Sequence, residues 1–333
     1  MRHTTGLCIA AAALLLACVV ISGCIEPSGP GQQTVTELRI GYQPSTHQIA
    51  HMTAMEKGWW AEDLAPFGVT KVTDYEFPTG APEMQAMLAG ELDIAYVGAA
   101  PVISAIANGL DAKIIAGVQT QGSDLVLKND IPYETPADLK GLKIATFPAG
   151  TIQDTLLRNW LLENNLDPAT DVQIIGMGPG DAITAITAGQ VDGVFLPHPA
   201  PAIIAAEGNG RTVVSSGEIE ANHACCVLVA SGDLIQNHPD MVTQIVKTHI
   251  KATEYNLAHL DEAAEIFAAK TGQDPVIIRQ SLNDWDGTWI SDPNLIVDSV
   301  VGYTNVQYEL GYISKPLTKE DMFDLSFYAA ARG

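Results

Sequence analysis

AGELDIAYVGAAP spans residues 89–101, and AGQVDGVFLPHPA spans residues 188–200. Each copy opens on a glycine suited to the left-handed C-cap of a helix and continues into an apolar run of strand length. The two copies separate at their ends, where Gly98-Ala99-Ala100 in one faces Leu196-Pro197-His198 in the other. The shared part is therefore read as scaffold, with Asp93 and Asp192 holding the preceding turns, and the divergent ends as the place where function differs.

The repeat extends backwards from this phrase. Residues 38–60 (LRIGYQPSTHQIAHMTAMEKGWW) and 142–164 (LKIATFPAGTIQDTLLRNWLLEN) both read as a strand, a Pro-containing loop and a helix. A second strand follows in each, near 69–77 and 172–177, and then the helices 81–90 and 180–189. Each half is β-α-β-α-β, which with right-handed crossovers predicts a parallel sheet covered by helices on both faces. The fold class is thus α/β and two-lobed, with a ligand cleft between the lobes at the carboxyl ends of the strands.

Outside the repeat, residues 112–130 read as a strand leaving lobe one, a turn and a second strand, and residues 222–231 as the strand returning. Helices are predicted over 238–260, 261–272, 274–282 and 293–313, each opening on Asp or Pro near its first turn. This tail has no counterpart in the second half and is assigned to lobe one. The predicted partition is a signal over 1–23, a tether over 24–36, lobe one over 37–128 and 226–333, and lobe two over 129–225.

Arg2 and His3 precede the apolar run LCIAAAALLLACVVI (7–21), and Ser22-Gly23-Cys24 follows it. This is the pattern of a secretory signal, too short for a comfortable membrane span of about 20 residues. EPSGPGQQT (26–34) has the composition of a flexible tether. Loss of residues 1–23 removes one positive charge, Arg2, and takes the formal charge from −22 to −23. Nucleic acid is excluded as a partner, since neutralising phosphates requires a basic stripe. Of the five cysteines, only Cys225 and Cys226 lie beyond the tether. Neighbours on a strand point to opposite faces, which predicts two separate buried thiols; a vicinal disulfide stays open as an alternative.

ISGC resembles a lipobox, which makes Cys24 the lipidated first residue of the mature chain. With it, RIGYQPSTHQIAHMTAMEKGWW, AMLAGELDIAYVGAAPVISAIANG and TPADLKGLKIATFPAGTIQDTLL resemble the nitrate, alkanesulfonate and taurine receptors of ABC importers, across residues 37–325. The resemblance implies a two-lobed periplasmic-binding-protein-like fold and an exported monomer, lipid-anchored at the outer face of the cytoplasmic membrane. Such a receptor binds a small anionic organic solute, such as an aliphatic sulfonate, taurine or nitrate, and passes it to a permease and its ATPase, with no cofactor and no catalysis. The same superfamily implies two alternatives: a receptor for a thiamine-type pyrimidine precursor, and an enzyme on the bilobed fold that uses cleft histidines.

Loops after strands face the cleft, and helix N-termini there suit an anion. The expected ligand contacts in lobe one are Gln43, Pro44 and His47 after the first strand, Gly80 and Ala81 after the second, and Gly98 and Ala99 after the third. Lobe two offers Thr151, Ile152 and Gln153, then His198. Gln121, Asn222 and His223, near the crossings between lobes, complete the set. The family resemblance implies that Thr151 and Gln153 donate to sulfonate or nitrate oxygens. It also implies an aromatic residue where this chain has Leu196-Pro197-His198-Pro199, a departure from a simple taurine pocket. His47 and His51 have the i, i+4 spacing of metal ligands, but HQIAH lacks the glutamate of a metalloprotease motif, and no metal is assigned.

Overall fold

Two sheets, each fed by a strand from the opposite half of the chain, organise the protein. A computed structural model describes residues 35–333; the expected signal, Cys24 and nearly all of the tether lie outside the described residues. The strands are β1 (Glu37–Tyr42), β2 (Lys71–Glu76), β3 (Ile94–Gly98), β4 (Ala112–Thr120), β5 (Ser123–Leu127), β6 (Lys143–Thr146), β7 (Gln173–Gly176), β8 (Gly193–Pro197), β9 (Arg211–Ser215), β10 (Ala224–Ser231) and β11 (Thr288–Trp289). The first sheet runs β11-β4-β10-β3-β1-β2 and the second β7-β6-β8-β5-β9.

The three repeat strands of each half are parallel, as expected. The sheets themselves are mixed. In the first, β10 inserts antiparallel between β3 and β4; in the second, β5 inserts antiparallel between β8 and β9. β5 had been expected to end lobe one, but it pairs with the second sheet. The outward crossing therefore falls at Gln121-Gly122 and not near residue 128, because a strand belongs to the sheet whose backbone groups it satisfies. The tail also departs from its expected place. The helix Pro239–Ala258 packs on Ile49–Glu56, but Pro275–Asp284 packs on Ala200–Ala206 of the second half, and Val297–Glu309 touches both Ala99–Ala107 and Ile152–Glu163.

The echoed phrase is structurally duplicated. Gly90 and Gly189 both have left-handed backbone (φ 76° and 68°) where the preceding helix ends. The amides of Glu91 and Gln190 then return to Ala86 O and Ala185 O at 2.9 and 2.8 Å. Asp93 accepts from the amide of Arg39 (2.7 Å), and Asp192 from the amide of Lys143 (2.9 Å), each the backbone of the neighbouring strand. The two aspartates thus set the same register in both sheets. β3 and β8 are apolar because each is covered on both faces; Ile94 to Val97 and Val194 to Leu196 are fully buried.

Candidate functional site

The carboxyl ends of both sheets border one cavity of ≈ 210 Å³. The chain reaches it where strands hand over to helices: Gln43, Pro44 and Ser45 after β1, Gly98 at the end of β3, Phe147 after β6, and Pro197 at the end of β8 with His198 and Pro199 beyond it. Three longer helices start at its rim, Ala99–Ala107, Ile152–Glu163 and Pro179–Thr187, with Gly98, Ile152, Gln153, Pro179 and Gly180 in the wall, and so does the short helix Ala200–Ala206. First-turn amides have no acceptor within their own helix, and the helix dipole makes these ends positive. Phe147, Ile152, Ile183, Ile203 and the prolines form an apolar lining, and no Lys, Arg, Asp or Glu among the described residues lines the cavity.

Of the residues expected from sequence, Gln43, Pro44, His47, Gly98, Ile152, Gln153 and His198 come together here. The others do not. Thr151 spends its hydroxyl as a helix cap, donating to Pro148 O (2.8 Å) and accepting from the Asp154 amide (3.4 Å). A Cβ at Gly80 would lie 2.6 Å from Pro101 Cγ, so this glycine serves helix packing. Ala81 borders a separate outer groove with Met84, Pro101 and Ala149, and Ala99 is fully buried beneath the turn. His223 is buried behind β10 against Tyr303 Oη (3.0 Å), and burial pushes its imidazole down to about 4.

Gln121 and Asn222 sit at the two crossings between the sheets. Both have positive φ, 59° each, and Gly122 beside them has φ 80°. The two crossings are tied directly: the Asn222 amide donates to Gln121 Oε1 (2.6 Å), and the Gln121 amide to His223 O (3.1 Å). Asp286 accepts from the Gly122 amide (2.8 Å) and from the Gly217 amide (2.6 Å). A few residues able to hold unusual backbone angles at two adjacent crossings are what domain closure requires.

His198 is fully committed. Its Nε2 lies 3.2 Å from Asp124 Oδ2 and its Nδ1 2.7 Å from Ser281 Oγ, so Nε2–H donates to the carboxylate and the serine hydroxyl donates to Nδ1. Asp124 also accepts from Thr212 Oγ1 (2.8 Å). Ser281 is fully buried and is not in the cavity wall, so this Ser-His-Asp set is a clasp between lobe two and the tail. Across the cleft, the Thr46 amide and hydroxyl both donate to His198 O, at 3.2 and 3.0 Å, and Tyr312 Oη donates to Asp154 Oδ2 at 2.5 Å.

His47 and His51 do not face each other's purpose. His51 points away, to Asp74 Oδ2 at 3.2 Å, among Tyr42, Trp60 and Tyr96. His47 turns into the wall with Nε2 2.7 Å from Gly122 O and Nδ1 3.3 Å from Cys225 Sγ. The two thiols are not on opposite faces: register shifts at the start of β10 bring Cys225 and Cys226 to the same side, with sulfurs 3.9 Å apart, and both cysteines are free. A bulge of this kind re-aims one side chain, and no alternation rule reads it from sequence. The mutual contact lowers the Cys226 thiol and raises that of Cys225; burial also raises Cys225 and opposes the fall at Cys226, which His47 assists.

Gln43 reaches the wall on a buried acid. Its amide nitrogen donates to Glu83 Oε2 at 2.8 Å, and Glu83 is fully buried. Burial lifts the Glu83 carboxyl well above its usual range, against the Gln43 bond and with help from Cys226. A raised carboxyl binds its proton in the folded chain at pH values where the unfolded chain has released it. Stability is then fully present below the unfolded value and is lost as pH rises from there towards the folded value. Glu83→Gln, which keeps the acceptor for Gln43, is expected to unfold like wild type near pH 4. At pH 8 it should be more stable on the order of 1 kcal/mol, in urea titrations at both pH values. A wild-type advantage at pH 8 would show Glu83 to be ionised.

These features define a two-lobed α/β binding protein with an interlobe cavity, and the chain belongs to the NMT1-like family, which matches residues 31–270. It is 27% identical over 319 residues to a putative aliphatic sulfonates-binding protein of Bacillus subtilis, covering 94% of this chain and 93% of that one. A putative aliphatic sulfonates-binding protein of Escherichia coli is 25% identical over 260 residues, 77% of this chain and 78% of the other. Among solved structures, the alkanesulfonate-binding protein SsuA from Xanthomonas axonopodis pv. citri bound to MOPS superposes with a TM-score of 0.77 at 21% identity, covering 87% of this chain and 98% of that chain. The periplasmic nitrate-binding protein NrtA from Synechocystis gives a TM-score of 0.74 at 16% identity, with 90% and 89% covered. The fold is that of these periplasmic binding proteins. No helix among the described residues is long and apolar enough to cross a membrane.

Proposed function

We propose that the protein is the extracytoplasmic solute receptor of an ABC importer and that it takes a small anion with a short aliphatic body, an aliphatic sulfonate foremost. The observation that carries this is the composition of the cavity. Three helix N-termini converge on walls built from Phe147, Ile152, Ile183 and Ile203, with no side-chain counter-charge in the lining. Backbone dipoles hold a permanently ionised group without a cation, and the apolar wall takes the carbon chain. Gln43, Ser45 and Gln153 supply side-chain polar contacts in this reading.

The two lobes close about the paired crossings at Gln121-Gly122 and Asn222-His223. Lipidation at Cys24, anchoring at the outer membrane face, action as a monomer and delivery to a permease with its ATPase belong to the same proposal. The sequence ISGC and the names of the relatives support it. Absence of catalysis is part of it, supported by the engagement of both ring nitrogens of His47 and of His198 with protein groups.

Calorimetric titration with a series of aliphatic sulfonates and their uncharged sulfonamide counterparts tests the proposal. Saturable binding of at least one sulfonate is expected, with its sulfonamide weaker by at least about tenfold, or 1.4 kcal/mol. Equal binding of the neutral partner, or saturable binding of a thiamine-type pyrimidine alone, would overturn the anion assignment.

A further inference from the structure

We infer that His47, Cys225 and Cys226 form a binding site for one Zn²⁺ ion in the wall of the solute cavity. All three side chains are buried, and their donor atoms lie within 4.8 Å of one another. Cys225 Sγ is 3.3 Å and Cys226 Sγ 3.8 Å from His47 Nδ1, and the sulfurs are 3.9 Å apart. An ion with Zn–S near 2.3 Å and Zn–N near 2.0–2.1 Å, in tetrahedral to trigonal geometry, needs about 3.8–4.0 Å between sulfurs and about 3.6–3.8 Å between sulfur and nitrogen. The triangle of donor atoms matches this to within a few tenths of an ångström.

The imidazole is oriented for the task. Its Nε2–H donates to Gly122 O at 2.7 Å, which leaves the lone pair of Nδ1 directed at the sulfurs. A ligating histidine whose other nitrogen is held by a carbonyl is the usual support of a metal site. Gly122 is fitted to this role, since a Cβ there would lie 2.9 Å from His47 Nε2. The bulge in β10 is the second device. Regular alternation would send one thiol to the far face, and the register shifts between Ala224 and Val227 prevent it.

Charge selects the ion. Zn²⁺ binds both sulfurs as thiolates, any proton they carry leaving to solvent, so the product is a neutral Zn(thiolate)₂ unit. A monovalent soft ion at the same donors leaves a net negative charge in a buried place, which is costly. Two sulfurs and one imidazole are donors that suit zinc over hard cations such as Mg²⁺ or Ca²⁺. His47, Cys225 and Cys226 all line the solute cavity, so a fourth ligand comes from the cavity side, as water or a solute atom.

The test uses the chain from residue 25 onward, reduced and metal-free, because the described residues 35–333 belong to one compact unit. In that chain Cys225 and Cys226 are the only thiols. Titration with Co²⁺ alone, with no solute present, is expected to give thiolate-to-cobalt charge transfer and tetrahedral d–d bands that saturate at one equivalent. Zn²⁺ should then displace the cobalt and erase both. Cys225→Ser with Cys226→Ser should lose the charge-transfer band and bind at least 100-fold more weakly, and His47→Gln should bind at least about tenfold more weakly. No charge-transfer band in the wild-type chain at one equivalent would overturn the site, whether or not the variants fold. So would a folded double-serine variant that binds Co²⁺ as tightly as wild type. Sulfonate calorimetry run separately keeps failure of the solute proposal distinct from failure of this one.

Discussion

Gly98→Val is expected to abolish tight solute retention while leaving the melting temperature near that of wild type. Gly98 has φ −61° and ψ 142°, a conformation that any residue adopts, so no backbone strain is introduced. The change acts through space. A Cβ at this position would sit 3.3 Å from Ile152 Cγ1, which belongs to the opposite wall, and 3.8 Å from Cys225 O. Alanine therefore asks Ile152 to move by a few tenths of an ångström and should cost less than tenfold in affinity. Valine adds two methyl groups to a cavity of ≈ 210 Å³ and props the lobes apart where they meet. We expect at least a 100-fold loss, about 2.7 kcal/mol, in calorimetry against the best sulfonate, with thermal melts of the solute-free proteins overlaid. Valine binding within threefold of wild type would show that the walls do not meet at Gly98 when solute is held.

His198→Ala is expected to lower the unfolding free energy by about 3 kcal/mol, the scale of leaving a buried carboxylate short of a hydrogen-bond donor. Asp124 is 6% exposed, and its carboxylate loses the Nε2–H donor while keeping only Thr212 Oγ1. Ser281, fully buried, loses its acceptor at the same time. Adding Asp124→Asn removes the stranded charge, so the double variant should recover more than half of the loss, a coupling that urea unfolding of all four proteins measures as a cycle. Additive losses would show that Asp124 is solvated and that His198 acts only through packing.

The repeat was legible because it rests on local chemistry. Glycine C-caps at Gly90 and Gly189 and apolar β3 and β8 follow from propensity and period, and they appear at the expected positions; Asp93 and Asp192 between them hold the neighbouring strand and not the preceding turn. The destination of β5 was not legible. Its apolar residues are compatible with either sheet, and only the position of β8 and β9 in space decides the matter. The site divides along the same line. Residues that directly follow a strand, such as Gln43, Gly98 and His198, could be placed in the cleft by topology alone. Thr151 looked identical by that rule, yet its hydroxyl is claimed by Pro148 O within its own turn, because a helix end satisfies its backbone before it serves a ligand. Phe147 follows β6 directly and could have been chosen on the same grounds. Gln273 reaches the cavity from the tail, and the paired orientation of Cys225 and Cys226 depends on a bulge, so neither leaves a trace in spacing or composition.

A crystal structure of the protein with its tightest-binding sulfonate tests the central claim most directly. The sulfonate oxygens are expected against the first-turn amides of the helices that begin at Ala99, Ile152 and Pro179, and the carbon chain against Phe147, Ile152, Ile183 and Ile203. Density for the sulfonate in the outer groove beside Ala81 and Met84, or a sulfonate held in the cleft by a lysine or arginine side chain, would contradict it.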